Sequence, residues 1–357
     1  MKATKQTPLQ GAIGELLNNI PDGFTDASRG ELQSLFNHIM TGTQTASREL
    51  MVQLLANAVS KRFNPASEEQ HIYLKNDEVP QIQLFNILIE KFPFVKYSQI
   101  ITNKAITETI GDSKEAAIID IGIGQGVQML HVIELAKKLP KLKKLNIIGI
   151  EPFSDALIQA EKNIMAQAKN VHFTIEFTGV NNFAENVDFS PFINISDTLI
   201  INASLALHHI QTEEKRSQII SKFKQLNPAA FLLIEPNVNH YETNFCNRFI
   251  NCFNHYYNLF LVIDRLDIDE KDKNALKLFF GREISDVIGK EEKDRFEKHE
   301  KATKWIERMQ NAGFSLNTSM LKSPVESESG VDIRIHNEGF MGFTHQIETI
   351  LAVMYAN

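Results

Sequence analysis

Residues 116–126 read Ala-Ala-Ile-Ile-Asp-Ile-Gly-Ile-Gly-Gln-Gly, a pattern that indicates the fold class of the chain. An apolar run typical of a buried strand leads to an acidic residue and three alternating glycines, and a helical pattern begins at Val127. Glycine allows the backbone dihedrals of a tight strand-to-helix turn and a close approach of a ligand to the main chain. The stretch therefore predicts a cofactor-binding loop, with a turn that serves only the fold as the alternative.

Composition sets the limits within which this loop is interpreted. The 357 residues suffice for one large α/β domain with additions or for two modest domains. A net charge of −7 disfavours a nucleic-acid surface, which needs clustered Lys and Arg. Cys246 and Cys252 point in different directions on a helix, which indicates a reducing, cytoplasmic location without disulfides. The sequence has no apolar run of the roughly 18 residues that a membrane span needs, so none is predicted. It also lacks the spacing of ligand residues that is typical of a metal site.

The periodicity of apolar residues changes along the chain. Residues 1–112 read as helical and predict an N-terminal helical cap, and residues 113–357 predict an α/β core. After Glu235 the alternation of strands and helices is interrupted by a helical insertion at about 238–312, with helices at His240–Leu266 and Glu291–Ala312. The predicted strands are Ala117–Ile121, Leu145–Ile150, Val171–Phe177, Thr198–Asn202, Ala230–Glu235, Gly330–His336 and Thr349–Tyr355.

This order predicts a doubly wound, mostly parallel seven-stranded sheet with helices on both faces and an antiparallel final hairpin. In such sheets the ligand crevice lies at the carboxyl ends of the strands. Glu151 follows the second strand and is placed to accept hydrogen bonds from two ribose hydroxyls, with a solvated loop acid as the alternative. Asn202 ends the fourth strand at the same edge.

Two well-known glycine motifs do not fit the loop. The dinucleotide fingerprint fails because its third glycine would fall at Val127, and the phosphate-loop pattern lacks the required Gly-Lys-Ser/Thr. The remaining pattern, acidic-x-Gly-x-Gly-x-Gly, resembles motif I of class I S-adenosylmethionine-dependent methyltransferases. That resemblance implies a methyltransferase-like Rossmann fold and S-adenosyl-L-methionine as the cofactor. The implied cofactor-binding residues are Asp120, Gly122, Gly124, Gln125, Gly126, Glu151 and Asn202.

Four segments resemble the GRAS family, which is known mostly as plant transcriptional regulators and is also found in bacteria. They are Pro93–Lys96 with Thr102–Glu108, Ile118–Gln128, Phe245–Phe249 with His255–Phe260, and Gly281–Ile284 with Arg295–Glu300, Trp305 and Ala312–Phe314. The resemblance runs from about Leu84 to the C-terminus. Leu351–Tyr355 replaces the Ser-Ala-Trp end of the plant members, and the glycine loop is closer to the methyltransferase pattern. We therefore expect a bacterial-type, cofactor-binding member.

The two resemblances together predict methyl transfer to a small molecule in a pocket closed by the helical cap. Glu235, at the end of the fifth strand, is the predicted base or substrate anchor, with an ion pair to Arg248 or Arg282 as the alternative. His209 is the second predicted catalytic residue. The predicted substrate-binding residues are His208, Asn237, Tyr241, Arg248, Tyr256 and Arg282.

The expected partner is a small-molecule methyl acceptor, without nucleic acid or membrane, and the sequence leaves room for a homodimer. The competing interpretation is a non-catalytic GRAS-type regulatory module that binds a small ligand or a protein. An intact glycine loop favours cofactor binding over this alternative without requiring turnover.

Overall fold

The structure is a computed structural model that describes residues 8–20, 27–41, 43, 45–64 and 81–357. The helices are α1 (Pro8–Asn18), α2 (Arg29–Met40), α3 (Ala46–Phe63), α4 (Gln81–Lys91), α5 (Pro93–Ile110), α6 (Val127–Ala136), α7 (Ser154–Gln167), α8 (Glu213–Gln225), α9 (Phe245–Ile263), α10 (Glu270–Gly289) and α11 (Ala302–Asn311). The strands are β1 (Glu115–Ile121), β2 (Lys144–Ile150), β3 (Thr174–Val180), β4 (Thr198–Ser204), β5 (Ala230–Pro236), β6 (Ser327–Glu328), β7 (Val331–His336), β8 (Phe340–His345) and β9 (Glu348–Ala356).

Within the described ranges, nine strands form one large mixed sheet in the order β3-β2-β1-β4-β5-β9-β8-β7-β6. The neighbours among β1 to β5 run parallel, whereas β9 runs antiparallel to β5 with Met354 opposite Leu233. The mostly parallel α/β architecture is confirmed, but the expected number of seven strands is too small. The additional strands are β6 and β8, and all six residues of β8 are buried.

The central strands are built from residues that are apolar on both faces. In β1 every residue from Ala116 to Ile121 is buried, which is the pattern of a parallel strand covered by helices on both sides. One core cluster joins the sheet to α8 and α11 through Phe223, Phe231 and Trp305. Burial of β1 on both faces therefore determines which part of residues 116–126 is strand and which part is loop.

Three predicted elements differ from the structure. The third strand begins at Thr174 instead of Val171, and it lies at an edge of the sheet where alternate residues are exposed and the apolar signal is weak. The predicted helix at His240–Leu266 is shorter in the structure, where α9 begins at Phe245 and ends at Ile263. The predicted helix at Glu291–Ala312 is wrong in its first half, because only α11 is an α-helix and residues 295–301 are irregular.

The chain divides into two compact units. A helical unit contains residues 1–92, 238–300 and 345–350, and within it α10 and α9 pack against α3 while α2 packs against α9. A sheet unit contains residues 93–237, 301–344 and 351–357. The sequence-based division at residue 112, with its insertion at about 238–312, stays a prediction. In the described part of the chain, no helix is long and apolar enough to cross a membrane.

Candidate functional site

The glycine loop connects β1 to α6 as predicted. Gly122 and Gly124 have positive φ angles of 73° and 53°, which only glycine adopts without strain. A Cβ atom on Gly122 would lie 2.8 Å from the Ala206 Cβ, so the packing of the sheet unit itself requires glycine there. A Cβ on Gly124 would meet no atom within 4 Å. Close packing explains Gly122, whereas Gly124 faces open space.

The rest of the loop is also held by its own surroundings. Gly126 caps the N-terminus of α6 with a φ angle of 79°. The carbonyl of the exposed Gln125 accepts a hydrogen bond of 3.0 Å from the Asn163 side chain on α7. These contacts fix the path of the loop against α7.

Glu151 lies at the end of β2, where the sequence places it, and is buried. Its Oε2 accepts a hydrogen bond from the Gly124 N–H at 3.0 Å, and its Oε1 accepts one from the Phe153 N–H at 3.1 Å. The carboxylate predicted to bind ribose hydroxyls thus binds the glycine loop and the start of α7. In this structure Glu151 organises the loop.

Asp120 and Asn202 belong to a buried polar network across the carboxyl ends of β1 and β4. The Asn202 amide donates to Asp120 Oδ1 at 2.7 Å and to Gln128 Oε1 at 3.2 Å, and the Gln128 amide donates to Asn103 and Thr102. Burial raises the pKa of Asp120 to about 7, while the hydrogen bond from Asn202 acts to lower it. The network ties α5 and α6 to the sheet edge.

Glu235 and His208 form a second buried pair at this edge. Glu235 Oε1 accepts a hydrogen bond from the Leu207 N–H at 2.8 Å, and Oε2 lies 2.6 Å from His208 Nδ1. The His209 ring is exposed and has its centroid 4.0 Å from that of His208. The structure therefore brings together Glu235 and both predicted histidines.

Arg216 and Asn237 hold the backbone around this pair. The fully buried Arg216 guanidinium donates to the carbonyls of His208 and Ile210, which fixes the turn that carries the histidines. The Asn237 side chain accepts a hydrogen bond from the Ala302 N–H at 2.8 Å, at the start of α11. Sequence reasoning did not single out Arg216, although a lone arginine on the inner face of a helix is a signal for such a role.

The remaining predicted substrate residues belong to the helical unit. Arg248 donates to the backbone carbonyls of Glu242, Thr243 and Val287, and burial together with the charge of Arg295 lowers its pKa to about 10. Arg248 thus holds the start of α9 to the end of α10.

The other three have separate environments in that unit. Tyr256 is fully buried and donates to Glu283 at 2.8 Å. Arg282 is exposed, and the Tyr241 ring lies 5.7 Å from the Lys298 ammonium. The substrate role of all four residues stays a prediction.

The helical unit also contains a cluster that sequence reasoning missed. Glu283, Glu297 and His299 offer side-chain atoms within 4.8 Å of one another. Burial and the neighbouring Glu297 raise the pKa of Glu283 to about 8. The rings of His240 and His255 lie beside that of His299, with centroids 5.0 and 6.2 Å away. The run of charged residues from Arg295 to Glu300 was the signal available in the sequence.

Comparison with known proteins identifies the relatives of this chain. A model of the GRAS domain family matches residues 32–345. Scarecrow-like transcription factor PAT1 of Arabidopsis thaliana is 28% identical over 271 residues, covering 70% of this chain and 55% of that protein. Scarecrow-like protein 1 of the same plant is 24% identical over 335 residues, covering 88% and 56%. The chain spans about half the length of the curated relatives it matches.

Solved structures give the same result for the fold. The crystal structure of SCL7 from Oryza sativa matches 99% of this chain and 100% of its own, with a TM-score of 0.76 and 19% identity. A match at this identity establishes a shared fold. The CurJ carbon methyltransferase matches with a TM-score of 0.46 and 15% identity, a level that carries no argument about activity.

These comparisons overturn four expectations. The curated relatives are DELLA proteins and Scarecrow-like proteins, one of them named a transcription factor, and the family model is that of the GRAS domain. The predictions of an enzyme, of methyl transfer, of S-adenosyl-L-methionine as cofactor and of a small-molecule methyl acceptor as partner are wrong. The glycine motif led to a wrong prediction because glycine is required both where a turn packs closely against the rest of the chain, as at Gly122, and where it packs against a ligand. The alternative of a non-catalytic regulatory module fits the relatives better.

Proposed function

This chain belongs to the GRAS domain family, and we propose that it is a non-catalytic regulatory module that acts in transcription by binding other proteins. The observation that carries the proposal is the family match over residues 32–345, together with a relative named as a transcription factor. The relatives are matched over only about half their length, so the proposal concerns the shared domain.

The polar groups at the carboxyl edge of the sheet support a structural use of that edge. Both oxygens of Glu151 accept hydrogen bonds from backbone N–H groups, and both oxygens of Glu235 have partners within the fold. Hydrogen bonds that backbone N–H groups donate to carboxylates are strong and fix loop geometry. These carboxylates therefore shape a rigid surface, which is what a docking platform needs.

Three large apolar side chains are exposed on the loops and on the helix next to this edge. Phe153 and Phe183 are 70% and 56% exposed, and Ile158 on α7 is 64% exposed. Phe153 follows β2 and Phe183 follows β3, which are neighbouring parallel strands, so both loops leave the sheet at one edge. We call Phe153, Ile158 and Phe183 the edge patch. Contiguous exposed apolar patches mark protein-interaction sites, and we propose that these three side chains form one.

The loops that carry the edge patch are tied to each other. The Asn181 amide donates to the carbonyls of Glu151 and Pro152, each at 3.0 Å. The two aromatic residues are thus presented on backbone that is held on both sides. A preformed apolar surface loses little entropy when a partner binds.

The experiment compares the proteins captured by the wild-type chain with those captured by its variants, in the cells that express the protein. Proximity labelling with the wild-type chain should enrich DNA-associated regulatory proteins, and Phe153→Ala/Phe183→Ala should reduce that enrichment at least about tenfold, as expected for aromatic hot spots. Ile335→Ala is the matched control, because Ile335 is another exposed apolar residue of the sheet unit and lies on β7. It should leave the enrichment unchanged.

Two results would contradict the proposal. One is a set of partners free of transcriptional proteins, and the other is methyl transfer from labelled S-adenosylmethionine above background in the same extracts. If the edge-patch variant captures the same regulatory proteins as the wild type, the function stands but its surface is elsewhere.

Two narrower expectations stay predictions within this proposal. Bacterial-type membership rests on the glycine loop and on the Leu351–Tyr355 ending, while the relatives reported above are plant proteins. A cytoplasmic location rests on Cys246 and Cys252, both of which are free thiols in the structure. Fractionation of the source cells tests the second.

A further inference from the structure

We propose that Glu283, Glu297 and His299 of the helical unit bind a divalent transition-metal ion, for which Zn²⁺ is the best match. The three side chains come from α10 and from the irregular segment 295–301. Their ligand atoms all lie within 4.8 Å of one another, and His299 Nε2 is 3.1 Å from Glu297 Oε2. This departs from the sequence-based expectation that the chain binds no metal.

The spacing of these atoms suits a small tetrahedral ion. Bonds of about 2.1 Å from Zn²⁺ to nitrogen and oxygen place neighbouring ligand atoms roughly 3.4 Å apart. His299 and Glu297, at 3.1 Å, are close to this separation, and Glu283 offers an oxygen within 4.8 Å of both. One imidazole with two carboxylates is a ligand set used for Zn²⁺ and Mn²⁺, whereas Mg²⁺ prefers oxygen ligands alone.

Buried histidines beside the cluster give independent support. His240 is completely buried, and neither of its ring nitrogens has a hydrogen-bond partner. Its ring lies 5.0 Å from that of His299, a member of the site, and stacks at 5.8 Å on that of Tyr256, which donates to Glu283. A buried polar side chain without a partner is costly. A Zn²⁺ ion with three protein ligands keeps one open position, and a water bound there would give such an imidazole a partner.

The surroundings already hold the ligands in position. The Tyr256 hydroxyl donates to Glu283 at 2.8 Å, and the backbone N–H of His240 donates to the backbone carbonyl of His299 at 2.9 Å. Such contacts behind the ligands are typical of metal sites. Glu283 and Glu297 are half-buried, whereas His299 is buried. A bound ion would link α10 to segment 295–301.

The test is calorimetric titration of the full-length, EDTA-treated chain with ZnCl₂. We expect one Zn²⁺ per chain, weaker binding of Mn²⁺, no binding of Mg²⁺ and a rise in melting temperature with Zn²⁺. Glu283→Gln and Glu297→Gln should each weaken binding at least about 10- to 100-fold. Glu291→Gln is the matched control, because Glu291 is an exposed acid that pairs with Lys293 on the surface. It should bind as the wild type does.

Two outcomes would overturn the proposal. The first is neither heat of binding nor a rise in melting temperature when Zn²⁺ is added to the wild type. The second is undiminished binding in the double variant Glu283→Gln/Glu297→Gln, which places the ion on other groups. Should a variant fail to fold, anomalous scattering from wild-type crystals grown with Zn²⁺ decides instead: a peak between Glu283, Glu297 and His299 supports the site, and its absence overturns it.

Discussion

The Glu151 carboxylate accepts a hydrogen bond of 3.0 Å from the backbone N–H of Gly124, so the residue that ends β2 holds the loop that follows β1. A second N–H, that of Phe153, binds the other oxygen. Glu151 therefore links the loop that follows β1 to the loop that follows β2. Its removal should affect stability before it affects any ligand.

We expect Glu151→Gln to lower the free energy of unfolding by about 1.5 to 3 kcal/mol, the usual contribution of a hydrogen bond to a charged group. The amide keeps the size of the side chain but has only one acceptor oxygen for two N–H groups. Urea unfolding measures the change. Glu176→Gln is the control: that exposed acid pairs with Lys144 at the surface, and its loss should cost less than about 1 kcal/mol. Equal losses of unfolding free energy in the two variants would contradict the view that Glu151 links the two loops.

Alanine substitutions should separate the two glycines of the loop. Gly122→Ala forces a Cβ to within 2.8 Å of Ala206 at a positive φ angle, so strain and overpacking add up to about 2 to 4 kcal/mol. Gly124→Ala has the positive φ angle but open space, and should cost only about 1 kcal/mol. Chemical denaturation of both variants checks the order. A larger loss for Gly124→Ala would show that the loop packs differently.

Asp120 should make stability depend on pH. Its pKa is about 7 in the folded chain because of burial, against about 4 when unfolded, so between these values the folded state retains a proton that the unfolded state has released. Its contribution to stability is therefore complete below about pH 4 and is lost as the pH rises to about 7.

The matching amide isolates this contribution. Asp120→Asn does not titrate, so the wild type should lose up to about 1.4 kcal/mol of unfolding free energy per pH unit relative to the variant between about pH 4 and about pH 7. Urea unfolding of both proteins across this range gives the difference. Parallel curves would mean that Asp120 is ionised in the folded chain.

The His208 and Glu235 side chains should be coupled energetically. A double-mutant cycle with His208→Gln and Glu235→Gln should give an interaction free energy of about 1 to 3 kcal/mol, since the two groups are buried and 2.6 Å apart. Additive losses would show that each residue acts through its backbone contacts alone. The cycle reads stability, so it is independent of any activity.

S-adenosylmethionine should not stabilise the protein. At millimolar concentration it should leave the melting temperature within about 1 °C of the ligand-free value, because a ligand that does not bind the folded state shifts no equilibrium. Differential scanning fluorimetry makes the measurement. A clear concentration-dependent shift would reopen cofactor binding at the loop around Gly124.

The sequence predicted the elements that are determined by local burial. Strand β1, the loop at Gly122–Gly126 and the end of β2 at Glu151 lie where the pattern placed them. The irregular conformation of residues 295–301 was not predicted, because it depends on residues elsewhere in the sequence. The N–H groups of Phe296 and Glu297 both bind Asp286, and the backbone of His240 binds that of His299, contacts that helical periodicity cannot reveal.

The candidate site divides in the same way. Proximity of His208, His209 and Glu235 follows from strand order, because both chain segments leave the carboxyl edge of neighbouring strands. The partners of Glu151 do not follow from it, since a carboxylate near a glycine loop looks the same whether it binds a ribose or the loop. Only the hydrogen-bond geometry separates these cases.

The position of β9 in the sheet has a consequence for synthesis. It covers the edge of β5, yet over a hundred residues separate Pro236 from Glu348. At ordinary elongation rates the ribosome needs roughly 5 to 20 seconds for that distance. During this interval the backbone N–H and C=O groups along the open edge of β5 can pair with other nascent strands. Aggregation through this edge is therefore most favoured during synthesis, before β9 is in place. Chaperones that shield strand edges should then determine the yield of folded protein.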